Sequence, residues 1–349
     1  MKKFYRRRWL LLLLLTSFGA MNAVAFFHAW RFTHFSNEPS PHSPNPEQLS
    51  PGRKLWVLLT GIHNPKPQNG PPPAFPVKIV TIASPNGPLE AWYARPDSSR
   101  SRGTVALFHG YTSSKSHLTH EAGYFRRLGY AVLLVDQAGN GNSAGFLTTV
   151  GYREAEDVAA AVRWLNDSTK HQVPSTKHQD LILYGVSMGA VAILRAEAEL
   201  GIHPTFNILE CSYGNMRQTA YNRFASMRVP GFPMADLLVF WGGVQNGFWA
   251  YGLNAEHYAT QIRTPTLLLW GTADSRVTLA ETDAIFANRG RPQSPPRFPR
   301  CGPRTVLEAL FGRLGTADAG VSGAVSHPIH RYSLHGIITT PSTLVYYSL

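Results

Sequence analysis

The sequence contains few cysteines, and this shortage narrows the range of possible proteins. Only two cysteines, Cys211 and Cys301, occur among 349 residues. Two are too few for a disulfide scaffold, and they show no metal-ligand spacing. Charged residues make up 15% of the chain and hydrophobic residues 44%, as in an ordinary globular domain. We find no internal repeat, and we expect no cofactor and no metal ion.

The net charge of +12 does not indicate a basic face. Residues 2–8 hold five cations, and residues 289–349 hold seven arginines against two acidic residues. The two ends therefore carry most of the excess, and the chain between them is close to neutral. Without a basic surface that could follow a phosphate backbone, we expect no nucleic-acid partner.

The N-terminus indicates a membrane partner. Five cations precede an apolar run at residues 9–27, long enough to cross a bilayer with help from its flanks. The positive-inside rule places the body of the protein on the non-cytoplasmic side. Two interpretations remain open. Residues 1–30 form an uncleaved signal anchor, which we favour because apolar character continues through Trp30, or a signal peptide is cut after residues 23–25, leaving a secreted or periplasmic protein.

The rest of the chain divides by composition. Residues 31–76 are rich in proline and predict a linker, interrupted by a short apolar piece at 55–61 that we expect to dock on the domain. From residue 77, two strand-like segments flank Pro85-Asn86-Gly87, which predicts a hairpin. Buried-type strands then alternate with helical periodicity to about residue 288. This alternation predicts an α/β fold with a mostly parallel sheet.

One stretch predicts a nucleophile. An apolar run at residues 181–184 leads into Gly185-Val186-Ser187-Met188-Gly189, and a helical pattern follows. A serine on so sharp a strand-to-helix turn needs unusual backbone angles, and the flanking glycines let strand and helix approach closely. The start of the helix also aims backbone N–H groups at the oxygen of an attacked carbonyl. The pattern therefore indicates acyl chemistry at Ser187.

Four motifs in order resemble the α/β-hydrolase superfamily, in its lysophospholipase-like or serine-aminopeptidase-like branch, from about residue 77 to 288. They are His109-Gly110-Tyr111, Asp136-X-X-Gly139-X-Gly141-X-Ser143, the turn around Ser187, and the segment 265–277 that contains Asp274. The resemblance implies that backbone N–H groups of Tyr111 and Met188 form the oxyanion hole and that Asp274 is the triad acid. The chain departs from many relatives at Ala138, where they carry arginine.

The residues themselves also favour Asp274. It follows the apolar strand at residues 267–270, and open α/β sheets bind ligands beyond the carboxyl ends of their strands. A histidine base needs such a carboxylate to fix its tautomer. His109 is a weaker candidate for the base, because a histidine beside a glycine at a strand end more often organises its loop.

Residues 211–258 are rich in aromatic side chains and methionine, and they are inserted between strands. This composition predicts a small helical cap over Ser187 that would favour acyl or aromatic substrates. The same residues would also serve as the core of the cap itself. The substrate class therefore stays open.

The tail departs from the family pattern. The resemblance requires a histidine roughly thirty residues after the acid, yet no histidine lies between His257 and His327. Residues 289–349 are atypical, with many arginines and prolines and weak periodicity. We hypothesise a reading-frame shift near residues 289–297, because the adjacent frame can encode a strand followed by a histidine at the position of Pro303. We expect the tail to be poorly ordered, and we expect that none of the late histidines completes a triad, namely His327, His330 and His335.

Two functions remain after this reading. The first is a membrane-anchored serine hydrolase that cleaves a carboxylic ester or small amide through an acyl-enzyme, inactive as written if the histidine is lost. The second belongs to another class, a membrane-tethered non-catalytic module of the same fold that binds a ligand or partner.

Overall fold

The computed structural model describes residues 2–38, 43, 49–98, 101–172, 180–271, 274, 276–288, 332–334 and 343–348. The chain forms two compact units. The first comprises Met1–Lys66, Phe146–Thr149 and Asn215–Asn254, and the second Pro67–Gly145, Val150–Gly214 and Ala255–Leu349. The helices are α1 (Lys2–Thr33), α2 (Pro51–Thr60), α3 (Thr119–Arg127), α4 (Glu154–Gln172), α5 (Met188–Leu200), α6 (Met216–Ser226), α7 (Met234–Asn246), α8 (Ala255–Ala259) and α9 (Leu279–Asn288).

The second unit is built on one sheet. Its strands are β1 (Lys78–Ile82), β2 (Leu89–Ala94), β3 (Gly103–Phe108), β4 (Ala131–Val135), β5 (Asp180–Val186), β6 (Phe206–Glu210), β7 (Thr266–Gly271), β8 (Tyr332–Leu334) and β9 (Thr343–Ser348). Their spatial order is β1-β2-β4-β3-β5-β6-β7-β9-β8. The five central strands from β4 to β7 are parallel, and the flanking pairs are antiparallel. The expected α/β fold with a mostly parallel sheet is confirmed.

The central strands are buried on both faces. Every residue of β3 and of β4 is buried, as expected for parallel strands covered by helices on either side. On one face, Val105, Leu107 and Leu134 form a cluster with Phe125 of α3. Helix α4 packs against α5 within the same unit. The sheet is therefore a rigid platform whose strand ends can hold side chains in fixed positions.

The predicted hairpin is confirmed. Strands β1 and β2 pair in antiparallel register, with Ile82 opposite Leu89. Gly87 in the connecting turn has φ of 105°. That left-handed backbone suits glycine, because other residues would place Cβ against the preceding carbonyl.

The first unit joins the N-terminal helix to two of the helices predicted for the cap. Helix α1 packs against α7. The Trp241 indole N–H donates to Asn22 Oδ1 at 3.1 Å, and the Gln245 amide donates to the Phe26 carbonyl at 2.7 Å. The Phe26 and Trp241 rings meet edge to face at 5.3 Å. The segment predicted as a cap is helical, as expected, and its placement over Ser187 stays a prediction.

The apolar piece within the predicted linker is a helix. Helix α2 spans Pro51–Thr60, and Lys54 on it donates to the Met227 carbonyl at 3.1 Å within the first unit. Helix α1 is long and apolar enough to cross a membrane, by length and composition, and it is the one such helix in the described part of the chain. A signal sequence near the N-terminus would pass the same test.

The tail contributes the two short strands β8 and β9, and β9 pairs with β7. Neither strand is indicated by the sequence pattern, which predicts no regular element after residue 288. The segment proposed for the reading-frame shift and the three late histidines lie outside the described residues. Poor order in this tail, like the frame shift, stays a prediction.

A buried ion pair holds the loop that follows β4. Lys115, with no exposed side-chain surface, pairs through Nζ with Asp136 and with Glu90, the latter at 2.9 Å. Asp136 also accepts the backbone N–H of Lys115 at 2.8 Å and that of Asn142 at 3.0 Å. The ammonium lies 4.6 Å from the centre of the Trp92 ring. Both buried charges are therefore compensated by partners.

Replacing Lys115 by methionine should lower the free energy of unfolding by about 3–5 kcal/mol, because it leaves the Asp136 carboxylate buried without its cation. The matched control is Glu90→Gln, which alters the more exposed partner and should cost about 1 kcal/mol or less. Urea unfolding of the two variants beside the parent measures both. Equal losses in the two variants would show that the buried pair has no special weight.

Candidate active site

Ser187 lies at the turn between β5 and α5. Its φ of 50° and ψ of −105° are unusual for a residue with a side chain, and such angles persist only where the surroundings enforce them. The Ser187 N–H donates to the Glu210 carbonyl at 2.7 Å, and its carbonyl accepts the Val191 N–H at 3.1 Å. Hydrogen bonds on both sides of the residue therefore hold the strained turn. The serine itself is partly exposed.

The two glycines of the turn have no room for a side chain. A methyl group on Gly189 would lie 2.4 Å from the Phe108 carbonyl oxygen, and one on Gly185 would lie 2.7 Å from the Ala190 nitrogen. Both distances are far inside van der Waals contact, and both neighbours are backbone atoms that cannot rotate away. The turn packs as tightly as the sequence pattern predicts.

Gly189→Ala should destabilise the protein by about 1–3 kcal/mol or more, because the added methyl overlaps the end of β3. The matched control is Gly110→Ala. Its nearest neighbour would be the Val186 carbonyl oxygen at 3.4 Å, an ordinary contact. Thermal unfolding of both variants checks the contrast. If Gly110→Ala lost as much stability as Gly189→Ala, the tight approach at the turn would be refuted.

The loop after β3 lies beside the serine. A methyl group on Gly110 would be 3.7 Å from Ser187 Cβ, so the backbone of this loop passes directly alongside the turn. Thr112, two residues on, has φ of 53°. Met188 is the first residue of α5, where backbone N–H groups are not used in the helix's own hydrogen-bond ladder. The structure thus brings the segments of Tyr111 and Met188 to either side of Ser187.

His109 organises this loop. It is fully buried, its Nε2 accepts the Gln137 N–H at 3.2 Å, and its Nδ1 lies 2.8 Å from the Gly110 carbonyl, to which it donates. Burial lowers the pKa of His109 and keeps the ring neutral. One ring nitrogen bonds to Gly110 in the same loop and the other to Gln137 in the loop after β4, so His109 has no nitrogen left for Ser187.

Asp274 lies just beyond β7. Its Oδ1 accepts the backbone N–H groups of Arg276 at 2.8 Å and Val277 at 3.0 Å, and its own N–H donates to the Gly271 carbonyl at 2.9 Å. Strands β5, β6 and β7 are neighbours, so Ser187 and Asp274 follow strand ends two positions apart. Two strand spacings amount to about 10 Å, a gap that an imidazole ring can bridge between the two side chains.

The base itself is not placed. Among the described residues, no histidine nitrogen is hydrogen-bonded to the Ser187 hydroxyl or to Asp274. The late histidines and Pro303 lie outside the described residues. The structure therefore places the predicted nucleophile, the two oxyanion segments and the predicted acid at the carboxyl ends of the parallel strands.

The sequence analysis assigned no role to two residues at the end of β6. The Glu210 carbonyl holds Ser187 in place, and its carboxyl accepts the Tyr184 hydroxyl at 2.5 Å, while burial raises its pKa. Cys211 follows with φ of 49°, and, after burial, the negative charge of Asp274 is among the causes that raise the pKa of its thiol. Their position at the carboxyl end of the strand next to the nucleophile's strand could have indicated a role.

The Cys211 thiol should be inert. Burial above all, and then the charges of Glu210 and Asp274, raise its pKa to about 12, so almost no thiolate forms at neutral pH. We expect native protein at pH 7.5 to react with iodoacetamide at Cys211 far more slowly than unfolded protein does. A Cys301→Ser background removes the other thiol. Rapid alkylation of native Cys211 would contradict this environment.

The chain is similar to known proteins in sequence and in fold. Residues 99–209 match the family model described as serine aminopeptidase, S33. An esterase of Pyrococcus furiosus, Pf2001, superposes with a TM-score of 0.51 at 24% identity, covering 64% of this chain and 82% of that one. A second crystal form of that esterase gives a TM-score of 0.51 at 23% identity, covering 72% and 95%. At this level of identity the likeness to the solved structures concerns the fold.

A protein of Bacillus subtilis (strain 168), the uncharacterized protein YqkD, is 27% identical over 194 residues. The match covers 55% of this chain and spans only 61% of the length of YqkD. The chain has the α/β-hydrolase fold, as its four motifs predict, and the family model matches the part of the chain that contains the first three of them.

Proposed function

We propose that the protein is a serine hydrolase that cleaves carboxylic esters through an acyl-enzyme, with Ser187 as the nucleophile. The observation that carries this proposal is the turn itself. Ser187 has φ of 50° on a partly exposed elbow, with the loop of Tyr111 on one side and the start of α5 on the other. A strained and tightly packed serine beside two sets of backbone N–H groups suits attack on a carbonyl.

In the first step, Ser187 Oγ attacks the carbonyl carbon and its proton passes to a base. The negative charge that develops on the carbonyl oxygen is stabilised by the N–H groups of Tyr111 and Met188. The base then protonates the leaving alcohol as the carbon–oxygen bond breaks, which yields the acyl-enzyme. Water, deprotonated by the same base, attacks the acyl group and releases the acid, and the proton returns to Ser187.

Asp274 orients the base. Two backbone N–H groups fix its Oδ1, so the carboxylate has a defined direction before any base approaches. An imidazole held by such a carboxylate keeps the tautomer that accepts the serine proton, and the imidazolium that forms is stabilised. The neighbouring Cys211 keeps its proton, so Asp274 faces no competing thiolate.

An ester is the favoured substrate. The fold is shared with a protein described as an esterase, and the family model is described as a serine aminopeptidase, so both ester and amide chemistry suit this arrangement. An ester needs less help from the acid that protonates the leaving group, because an alkoxide is a better leaving group than an amide anion. The size of the substrate depends on the cap, and we leave it open.

The base is proposed to be the histidine that the adjacent reading frame supplies at the position of Pro303, 29 residues after Asp274. In the chain as written, the oxyanion hole and binding remain. Losing one triad member leaves about 10³ to 10⁴-fold of catalysis over water, so the chain as written should be nearly inactive.

A fluorophosphonate probe tests the nucleophile. We expect strong labelling of a variant whose reading frame is restored across residues 298–307, weak labelling of the chain as written, and none of either form after Ser187→Ala. Hydrolysis of p-nitrophenyl butyrate should follow the same order, with several orders of magnitude between the first two. If the restored variant were unlabelled and inactive while folded, the non-catalytic binding module would be the better account.

We also propose that α1 is an uncleaved anchor, with the rest of the protein on the non-cytoplasmic side. Ala25, at the end of the small-residue segment, is fully buried, and the Asn22–Trp241 and Phe26–Gln245 hydrogen bonds lie on either side of it. Cutting there would remove half of this contact. The five cations before the apolar run support the orientation.

A further inference from the structure

We infer that α7 and the segment after it are embedded in the outer leaflet of the bilayer that α1 crosses, with lipid acyl chains against Phe240, Val244 and Trp249. These three residues form the apolar face of the unit. The inference rests on the proposed anchor and is independent of hydrolysis. It concerns the first unit alone.

Exposed apolar side chains are concentrated in the first unit. In the described part of the chain, all the large hydrophobic side chains that are exposed belong to this unit except Ile79 and Leu200. Trp249 is 67% exposed and Val244 54%. Such clustering marks an interaction surface, because scattered single residues would be spread over both units.

Helix α7 lacks the polar face of a water-exposed helix. Its exposed hydrophobic residues, Phe240 and Val244, are one turn apart and therefore lie on the same side. Its one charged residue, Asp236, is bonded to Arg217 at 2.7 Å and also to the Tyr221 hydroxyl. The neighbouring α6 differs, because its exposed positions include Arg217 and Gln218. Within the same unit, the exposed side chains of α6 are therefore suited to contact with water and those of α7 to contact with hydrocarbon.

The contact between α1 and α7 determines how deeply α7 lies in the bilayer. Trp9 and Trp30 are aromatic residues of the kind found at both membrane interfaces, and the helix between them is about 32 Å long, close to the thickness of the hydrocarbon core. Asn22 and Phe26 are the residues of α1 that accept these hydrogen bonds from α7. These positions are about 6–12 Å below Trp30 along the helix. If α1 crosses the bilayer, α7 must enter it too.

Two side chains of α7 donate hydrogen bonds to α1 at this depth. The Trp241 indole N–H is bonded to Asn22, and the Gln245 amide is bonded to the Phe26 carbonyl. Hydrocarbon offers no hydrogen bonds, so these two bonds lower the free-energy cost of placing both N–H groups in the bilayer. The depth also agrees with the roughly 5–10 Å to which apolar faces of interfacial helices are buried.

A groove on this unit suits an acyl chain. Its volume is about 320 Å³, and it is lined by Val239, Phe240, Gly243, Val244, Gly247, Phe248, Trp249, Ala250 and Tyr251. None of these residues is charged, and three of them form the apolar face. The length of α1, the composition of α7 and the uncharged groove therefore all favour one occupant for this surface, the acyl chains of bilayer lipid.

Fluorescence quenching in vesicles tests the inference. The full-length chain, in a Cys211→Ala and Cys301→Ala background, receives one cysteine as Val244→Cys on the apolar face, Ala225→Cys on α6 or Leu13→Cys within the proposed span. Each variant is labelled with the environment-sensitive dye NBD and reconstituted in phosphatidylcholine vesicles with or without acyl-chain doxyl lipids. We expect the labels at 244 and 13 to lose most of their fluorescence and the label at 225 to keep it.

Three outcomes would overturn the inference. Quenching at 13 without quenching at 244 would show that α1 crosses the bilayer while α7 stays outside it. Absence of quenching at both positions would remove the anchor, whatever the esterase activity of the same preparation. Mutual quenching between labels at 244, without quenching by doxyl lipids, would assign the surface to a second copy of the chain.

Discussion

The close approach of the β5–α5 turn to the end of β3 governs the geometry of the site. Because backbone atoms of Phe108 and Ala190 leave no space for a methyl group at positions 189 and 185, only glycine lets the strand and helix meet there. This approach places Ser187 at φ of 50°, with its N–H on the Glu210 carbonyl at 2.7 Å. A serine held in this way cannot relax into the ordinary strand or helix conformation. Its backbone, and with it the Cβ from which the hydroxyl projects, is therefore held in one position, as catalysis by positioning would require.

The parallel sheet turns this local constraint into a site. The turn follows β5, the loop of His109 follows β3, and Asp274 follows β7. Every predicted component except the base therefore lies at the carboxyl ends of the parallel strands. Polar contacts within the loops keep these components in place. His109 bonds to the Gly110 carbonyl in its own loop and to the Gln137 N–H in the loop after β4, and the Lys115–Asp136 pair also holds that second loop.

The features that could be predicted are those encoded by local spacing. The turn at Ser187, the hairpin around Gly87 and the alternation of strands and helices follow from residues adjacent in sequence. The contacts between Lys115 and Asp136 and between Asn22 and Trp241 join residues distant in sequence, and no periodicity reveals such partners. Strand β9 is unexpected for the same reason, since its pairing with β7 depends on tertiary contact. The role predicted for Asp274 follows from its motif, whereas the influence of Asp274 on Cys211 depends on the three-dimensional arrangement.

The most direct measurement is a structure of the frame-restored variant after reaction with a small alkyl phosphonate. The account predicts phosphorus bonded to Ser187 Oγ and the phosphonyl oxygen within about 2.7–3.1 Å of the backbone nitrogens of Tyr111 and Met188. A histidine should lie between the adduct and Asp274. An adduct on another residue, or a phosphonyl oxygen that faces solvent away from both nitrogens, would contradict the assignment of the site.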